Sequence, residues 1–255
     1  MGYPKGLLSS RAVIRNGVYA VIPPEGRVIN VIPGFEGFKT SIIASPKIGP
    51  SFVWYVSTVA PGAHTSKDWG DAGCERFVYF MDGEGELTVT VAGETKVLKQ
   101  GGYAFAPEGV GMGIRNDSNG TMRIIMYKQK YIPLEGHSAQ PVFGNVHDLP
   151  VKHLDDMENV DLVDLLPTDL GFDMNFHILT FQPGGCHSFI ETHVQEHGMY
   201  ITSGEGVYRL GDDWIPVQRE DFLWMGAFCQ QCVYASGREP MSYIYSKDCN
   251  RDVEL

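Results

Sequence analysis

The chain has 255 residues, with 31 Asp and Glu against 20 Lys and Arg, a formal charge of −11 and a pI near 5.1. That length allows one large domain or two of roughly 125 residues, each able to bury a core. The acidic balance argues against a nucleic-acid or anionic-membrane partner, since either rewards a basic face.

Along the chain, Met1 to Ile14 lacks the apolar run of a secretory leader, and no segment approaches the roughly twenty apolar residues of a membrane span. A cytoplasmic protein is expected. Five Cys without framework spacing read as reduced thiols, and Cys229 with Cys232, a lone CxxC, reads as two small buried residues. Thirty Gly and fifteen Pro, spread rather than clustered, favour many short strands.

Phe52 to Ala63 is apolar and runs into the turn at Pro61-Gly62; Glu75 to Tyr79, the triplet Gly83-Glu84-Gly85, Gly101 to Phe105 and Tyr127-Lys128 follow. Tyr131 to Gly171 is richer in Pro, His, Asp and Glu and reads as a connector. Within it a short helix over Leu154 to Leu165 and a loop or extended path are both open. Then the same order returns. Phe176 to Gly185 runs into Pro183-Gly184, Glu196 to Tyr200 answers Glu75 to Tyr79, and Gly204-Glu205-Gly206 lies seven residues beyond His197, as Gly83-Glu84-Gly85 lies seven beyond Arg76. Glu220 to Trp224 and Ser246-Lys247 close the second series. A repeat of this length, with a glycine turn at the same place in each copy, predicts an all-β fold of two tandem jelly-roll β-barrels. The expected division is a first barrel over 1–135, a connector over about 136–171 and a second barrel within 136–255.

The second copy carries chemistry. Glu191, His193 and His197 stand within seven residues, and Gln231 follows forty residues after Glu191. Two imidazoles, a carboxylate and an amide oxygen suit manganese or ferrous iron before zinc, and the triplet has no Cys. Glu191 and His193, two apart, share a face on a strand, and the chain must turn before His197, so two adjacent strands are expected to carry the ligands. Met199 to Leu210 alternates around Gly204-Glu205-Gly206 as a hairpin would. Gln230 stays open as the alternative to Gln231, because neighbours on a strand point to opposite sides. In the first copy the positions in register are Gly70, Ala72, Arg76 and Met112, which offer no ligand, so that barrel is expected to be metal-free and structural.

Two tandem barrels with ligands in one of them resemble a bicupin. The common cupin order is His-x-His, then Glu, then a late His; here it is Glu191-x-His193-x3-His197 with Gln231, and this inverted order resembles the (S)-ureidoglycine aminohydrolases of purine (allantoin) catabolism. Glu191-Thr192-His193-Val194, Glu196-His197-Gly198, Tyr208-Arg209-Leu210-Gly211-Asp212, Lys247-Asp248 and Asn250-Arg251 carry the likeness. It implies a manganese-dependent conversion of (S)-ureidoglycine and water to (S)-ureidoglycolate and ammonia, with ferrous iron as the second candidate ion. Glu191 and Lys247 are the expected catalytic residues, Lys247 as carboxylate clamp or proton shuttle, with Tyr208, Tyr243 and Lys247 on the substrate. Tyr243 and Lys247 share a strand face. A small-molecule substrate and a homo-oligomer, at least a dimer, are expected. The rival readings are a cupin dioxygenase or isomerase, in which the same ion binds dioxygen or a sugar, and a ligand-binding cupin without catalysis.

Overall fold

The computed structural model describes residues 10–253; the leader reading of Met1 to Ile14 lies mostly outside them. The nine-stranded sheet runs in the order Val142–Asn145, Gly102–Ala106, Cys74–Gly83, Met122–Lys130, Phe52–Thr65, Met112–Arg115, Leu87–Val91 and Glu94–Leu98, with Phe35–Ala44 also pairing with Phe52–Thr65. The eight-stranded sheet repeats its first part as Tyr19–Ile22, Phe222–Met225, His197–Ser203, Met241–Asp248, Met174–Phe181 and Val160–Asp164, flanked by Val13–Arg15 and Lys152–His153. Three further strands, Asp213–Gln218, Glu205–Leu210 and Gln231–Ala235, repeat the remainder. The fold is therefore all-β, two tandem jelly-roll barrels of one strand order.

Register makes the repeat exact to the residue over its central strands. Arg76 stands opposite Ala106 and Lys128, and His197 stands opposite Met225 and Lys247. The end strands are exchanged. Val142–Asn145, from the connector, extends the first barrel beside Gly102–Ala106, whereas Tyr19–Ile22, from the beginning of the described chain, extends the second beside Phe222–Met225. The connector then makes two 3-10 turns, at Val146–Asp148 and Leu154–Asp156, with the short strand Lys152–His153 between them, before the strand Val160–Asp164, so its path is extended rather than helical.

The Gly-Glu-Gly triplets mark corners, not hairpins. His197–Ser203 pairs with Phe222–Met225 and Met241–Asp248, while Glu205–Leu210 pairs with Asp213–Gln218 and Gln231–Ala235, so the chain changes sheet at Gly204. Gly204 has φ +71, and a Cβ there would lie 2.5 Å from the Pro240 carbonyl; Gly83, with φ +116, stands 2.5 Å from that of Thr121 on the same measure. Both corners need a residue that tolerates a positive φ and a neighbouring backbone in van der Waals contact.

Each barrel has its own apolar interior, and a third cluster joins them. Val78 and Phe80 point into the first barrel and Met199 and Ile201 into the second, while Phe52, Trp54, Phe77 and Tyr127 meet Phe176, Tyr200, Phe222 and Trp224 between the two. Phe77 stacks on Phe176 with ring centroids 3.8 Å apart and planes 8° apart, a contact worth about 0.5–1.5 kcal/mol beyond its buried area. Strands covered on both faces read as nearly continuous apolar runs. At Gly198 a Cβ would come within 2.6 Å of the Phe52 ring, so this glycine lets the strand that begins at His197 press against the first barrel. No helix among the described residues is long and apolar enough to cross a membrane.

Candidate metal centre

The four sequence-predicted ligands converge at one end of the second barrel. Glu191 and Gln231 stand opposite each other in a single antiparallel bridge, Glu191 N to Gln231 O at 2.9 Å and Gln231 N to Glu191 O at 3.0 Å. Gln231 opens the strand Gln231–Ala235 and His197 opens His197–Ser203, whereas His193 lies in irregular chain held by a bond from Phe228 N to its carbonyl at 2.7 Å. The expectation of two ordinary adjacent strands is thus corrected: one bridge and one loop carry Glu191 and His193. The choice between the neighbouring glutamines resolves geometrically. Gln231 is buried with its amide 3.1 Å from His193 Nε2, while Gln230 is exposed and bonded to Arg209.

Tautomers follow from the partners. His193 Nδ1 lies 2.9 Å from the Gln195 carbonyl and His197 Nδ1 lies 3.3 Å from that of Ser246. A carbonyl only accepts, so each Nδ1 carries the proton and each Nε2 presents a lone pair. Those two Nε2 atoms stand 3.1 Å apart. Turning the Gln231 amide over places its oxygen where the nitrogen now lies, a third lone pair aimed at the same point. Glu191 Oε2 stands 3.8 Å from His193 Nε2.

Such convergence needs positive charge, and a proton is a poor source of it. Burial pushes both imidazoles below their ordinary range, His197 furthest, with His193 and then Lys247 adding to the effect at His197, and Lys247 adding to it at His193. Burial raises the Glu191 carboxyl, against the pull of Lys247. Two ligands at right angles around an ion, each about 2.1 Å from it, sit about 3 Å apart, so the imidazole spacing fits a shared cation. Counting only His, Cys, Asp and Glu, no group of three among the described residues closes tightly on one point. The amide of Gln231 completes the approach and Glu191 stands off as the fourth donor.

Next to these ligands is a small cavity of about 90 Å³, walled by Glu191, His197, Gln231, Tyr208, Tyr243 and Lys247 among others. Its size admits a metabolite of few heavy atoms. Tyr208 and Tyr243, both buried, have ring centroids 6.5 Å apart, and burial holds both phenols protonated. His187, close before the ligand triplet in sequence and so expected at the mouth of the site, is a wall residue, whereas sequence reasoning missed Tyr245 and Leu154. Tyr245 shares the strand face of Tyr243 and Lys247, so strict alternation finds it. His187 accepts from Val233 N at 3.0 Å and is pushed down to about 4 by burial; Leu154 arrives from the connector, and no local pattern points to it. His177 bonds Asp164 at 2.7 Å, and its ring lies 5.0 Å from that of Tyr245.

At the equivalent place in the first barrel the donors are missing. Trp69, rather than Gly70, bridges Met112 as Glu191 bridges Gln231, because seven residues separate Trp69 from Arg76 and six separate Glu191 from His197. The buried Arg76 guanidinium fills the position, donating to the carbonyls of Cys74, Val110 and Asp71.

Comparison with known proteins shows the family and the fold. The family model described as Cupin domain matches residues 55–127, inside the first barrel. Over all 255 residues the chain is 46% identical to the (S)-ureidoglycine aminohydrolase of Escherichia coli K12, covering 97% of that protein. The chain belongs to the (S)-ureidoglycine aminohydrolase family. The Arabidopsis thaliana (S)-ureidoglycine aminohydrolase is 29% identical over 92% of this chain and 76% of its own length. A crystal structure of the E. coli protein Ylba superposes with a TM-score of 0.88 at 44% identity over the whole of both chains. Within the family frame, the Glu191, His193, His197 and Gln231 cluster is the chain's candidate metal centre, and Arg76 occupies the equivalent point of the first barrel.

Proposed function

We propose that this protein hydrolyses (S)-ureidoglycine to (S)-ureidoglycolate and ammonia in purine catabolism, using a divalent ion, manganese with ferrous iron as second candidate, held by Glu191, His193, His197 and Gln231. The observation that carries the reading is the full-length identity of 46% to an (S)-ureidoglycine aminohydrolase, and the convergence of two imidazole lone pairs 3.1 Å apart supports the metal. A bound ion would supply Lewis acidity and orient a chelating acid.

The remaining work falls to the chain. The substrate carbon bears an amine, a ureido nitrogen and a carboxylate; its C–N bond to the amine breaks, the nitrogen leaves as ammonia after gaining a proton, and the oxygen of water bonds in its place. Lys247, across the strand pair from His197, is positioned to grip the carboxylate or to pass that proton. The phenols of Tyr208 and Tyr243, held protonated, can donate to the ureido oxygen. A wall closed on one side presents one face of the carbon to water, so the product keeps one configuration. We further propose a cytoplasmic protein working as a homo-oligomer, at least a dimer.

The test is a stereospecific product assay on freshly generated (S)-ureidoglycine with protein of measured metal content. Accumulation of (S)-ureidoglycolate in proportion to bound manganese is expected; racemic product at the spontaneous rate overturns the activity, and equal turnover by thoroughly metal-stripped protein overturns the metal.

A further inference from the structure

The short piece of chain between His193 and His197 is fastened to the other barrel. Glu196, half-buried one residue before His197, accepts from Ser51 through the backbone N–H at 2.9 Å and through the hydroxyl, and its second oxygen accepts from Trp224 Nε1 at 2.8 Å. Ser51 immediately precedes the strand Phe52–Thr65 of the first barrel. With Glu191, His193, His197 and Gln231 read as metal ligands, we propose that Glu196 is a positioning residue for that centre, a clip through which Ser51 of the first barrel fixes where His197 stands.

Attachments on both sides of His197 lead to the same place. On one side the Glu196 carboxyl group is bonded to Ser51; on the other Gly198 presses against the ring of Phe52, the next residue of the first barrel. Glu196 N also donates to Asp248 Oδ2 at 3.3 Å, so the clip is held by its backbone as well as its side chain. Trp224 is buried and fixed in turn, because Gly49, with φ +139, lets the first-barrel chain lie where a Cβ would run into the indole ring. A backbone shift at Glu196 would carry the buried His197 Nε2 away from its place 3.1 Å from that of His193, and ligands held in place by neighbouring bonds bind more tightly than ligands free to move.

The first barrel's own copy shows what the clip needs. Ladder register places Glu75 where Glu196 stands, Phe105 where Trp224 stands and Asp173 where Ser51 stands. Phe105 has no N–H to give, and Asp173 brings a second carboxyl group instead of a hydroxyl. Glu75 accepts from Gln129 at 3.0 Å, and burial first, then the charge of Asp173, push it far above the ordinary carboxylate range. Of the two copies, the one with the metal ligands is the one that gathers an amide, a hydroxyl and an indole N–H on a single acidic side chain, and such bonds are the stronger kind.

Competition of the manganese-loaded full-length protein with a chelator of known affinity tests the clip without recourse to turnover. Wild type is expected to hold one ion per chain. Glu196→Ala should weaken manganese binding about tenfold or more. Ser51→Ala, at an exposed first-barrel position, should weaken it about threefold or more, while Ser51→Thr, which keeps the hydroxyl, stays within about twofold of wild type. Adding Ser51→Ala to Glu196→Ala should cost nothing further, since the two share one contact. Wild-type affinity in a folded Ser51→Ala protein, or a second full loss in the double variant, overturns the clip and leaves the metal centre standing. A wild type that retains no manganese removes the metal centre, and the clip with it.

Discussion

The two barrels share strand order and register, yet only one gathers ligands. At the same point of the ladder, Arg76 faces Lys128 in the first and His197 faces Lys247 in the second. Trp69 bridges Met112 in one, and Glu191 bridges Gln231 in the other. The first barrel's position is filled from within: Arg76 donates to three carbonyls through its two terminal nitrogens, its Nε having no partner among the described residues, and Lys128 pairs with Asp71. In the second, lone pairs and a lysine converge on a small cavity with no such closure. A jelly roll thus supplies position, and a handful of inward-facing side chains decides whether a position is structural or chemical.

The largest effect expected from breaking that contrast is at Glu191. Replacing a residue that merely orients a metal ligand costs about 10–100-fold, so Glu191→Ala should lower formation of (S)-ureidoglycolate by about 1000-fold or more and reduce bound manganese below one per chain. Product assay and elemental analysis on the same sample check both. A variant that keeps full turnover removes Glu191 from the centre.

Lys247→Met comes next. If Lys247 moves a proton or grips the carboxylate, turnover should fall about 100-fold while bound metal stays at the wild-type level, a combination that separates it from a ligand. Lys128→Met, at the matching point of the first barrel, breaks only the half-exposed pair with Asp71 and should change turnover by less than about twofold. Equal losses in the two variants would mean that Lys247 acts through stability alone.

Arg76→Met tests the reverse property. It takes the donor from the partly buried carbonyls of Cys74, Val110 and Asp71 and removes a buried charge, and a stability loss of about 1–3 kcal/mol is expected by chemical denaturation, with turnover per folded molecule unchanged. A loss of activity at wild-type stability would show that the first barrel does more than support the second.

Much of this division was legible in the residues. The Gly-Glu-Gly triplets, both needing a positive φ and a close backbone, gave the repeat its register, and the Glu191, His193, His197 and Gln231 spacing picked out side chains that meet in space. What escaped the sequence was long-range pairing. Alternation says that a segment is a strand and not which strand it joins, hence the corner at Gly204 expected as a hairpin. Tyr19–Ile22 lies more than two hundred residues before some of its partners, and nothing local says that it completes the second barrel. The one-residue slip from Gly70 to Trp69 comes from an extra residue between the bridge and Arg76. Gln231 against Gln230 was a question of facing, which needed the bridge with Glu191 to answer it.

The smallest expected effect concerns pH and the wall of the second barrel. His187 is buried and pushed down to about 4 by that burial, against an ordinary value near 6.5. Its folded form therefore binds fewer protons than its unfolded form between those values, and stability must rise with pH there. Above about pH 6.5 both forms are neutral and His187 contributes nothing to the pH dependence; as pH falls from there to about 4, the protonated unfolded chain is favoured. Asp248, pushed up to about 7 by burial, runs the other way, since its unfolded carboxyl ionises from about 4 while the folded one holds its proton. A bare stability curve mixes the two, so the difference between wild type and His187→Asn isolates the histidine. Relative to that variant, wild type should lose about 1 kcal/mol between pH 7 and pH 5.5 by denaturant titration. A flat difference would show that His187 takes up its proton at an ordinary pH, and that the wall beside Tyr208 is wetter than its burial states.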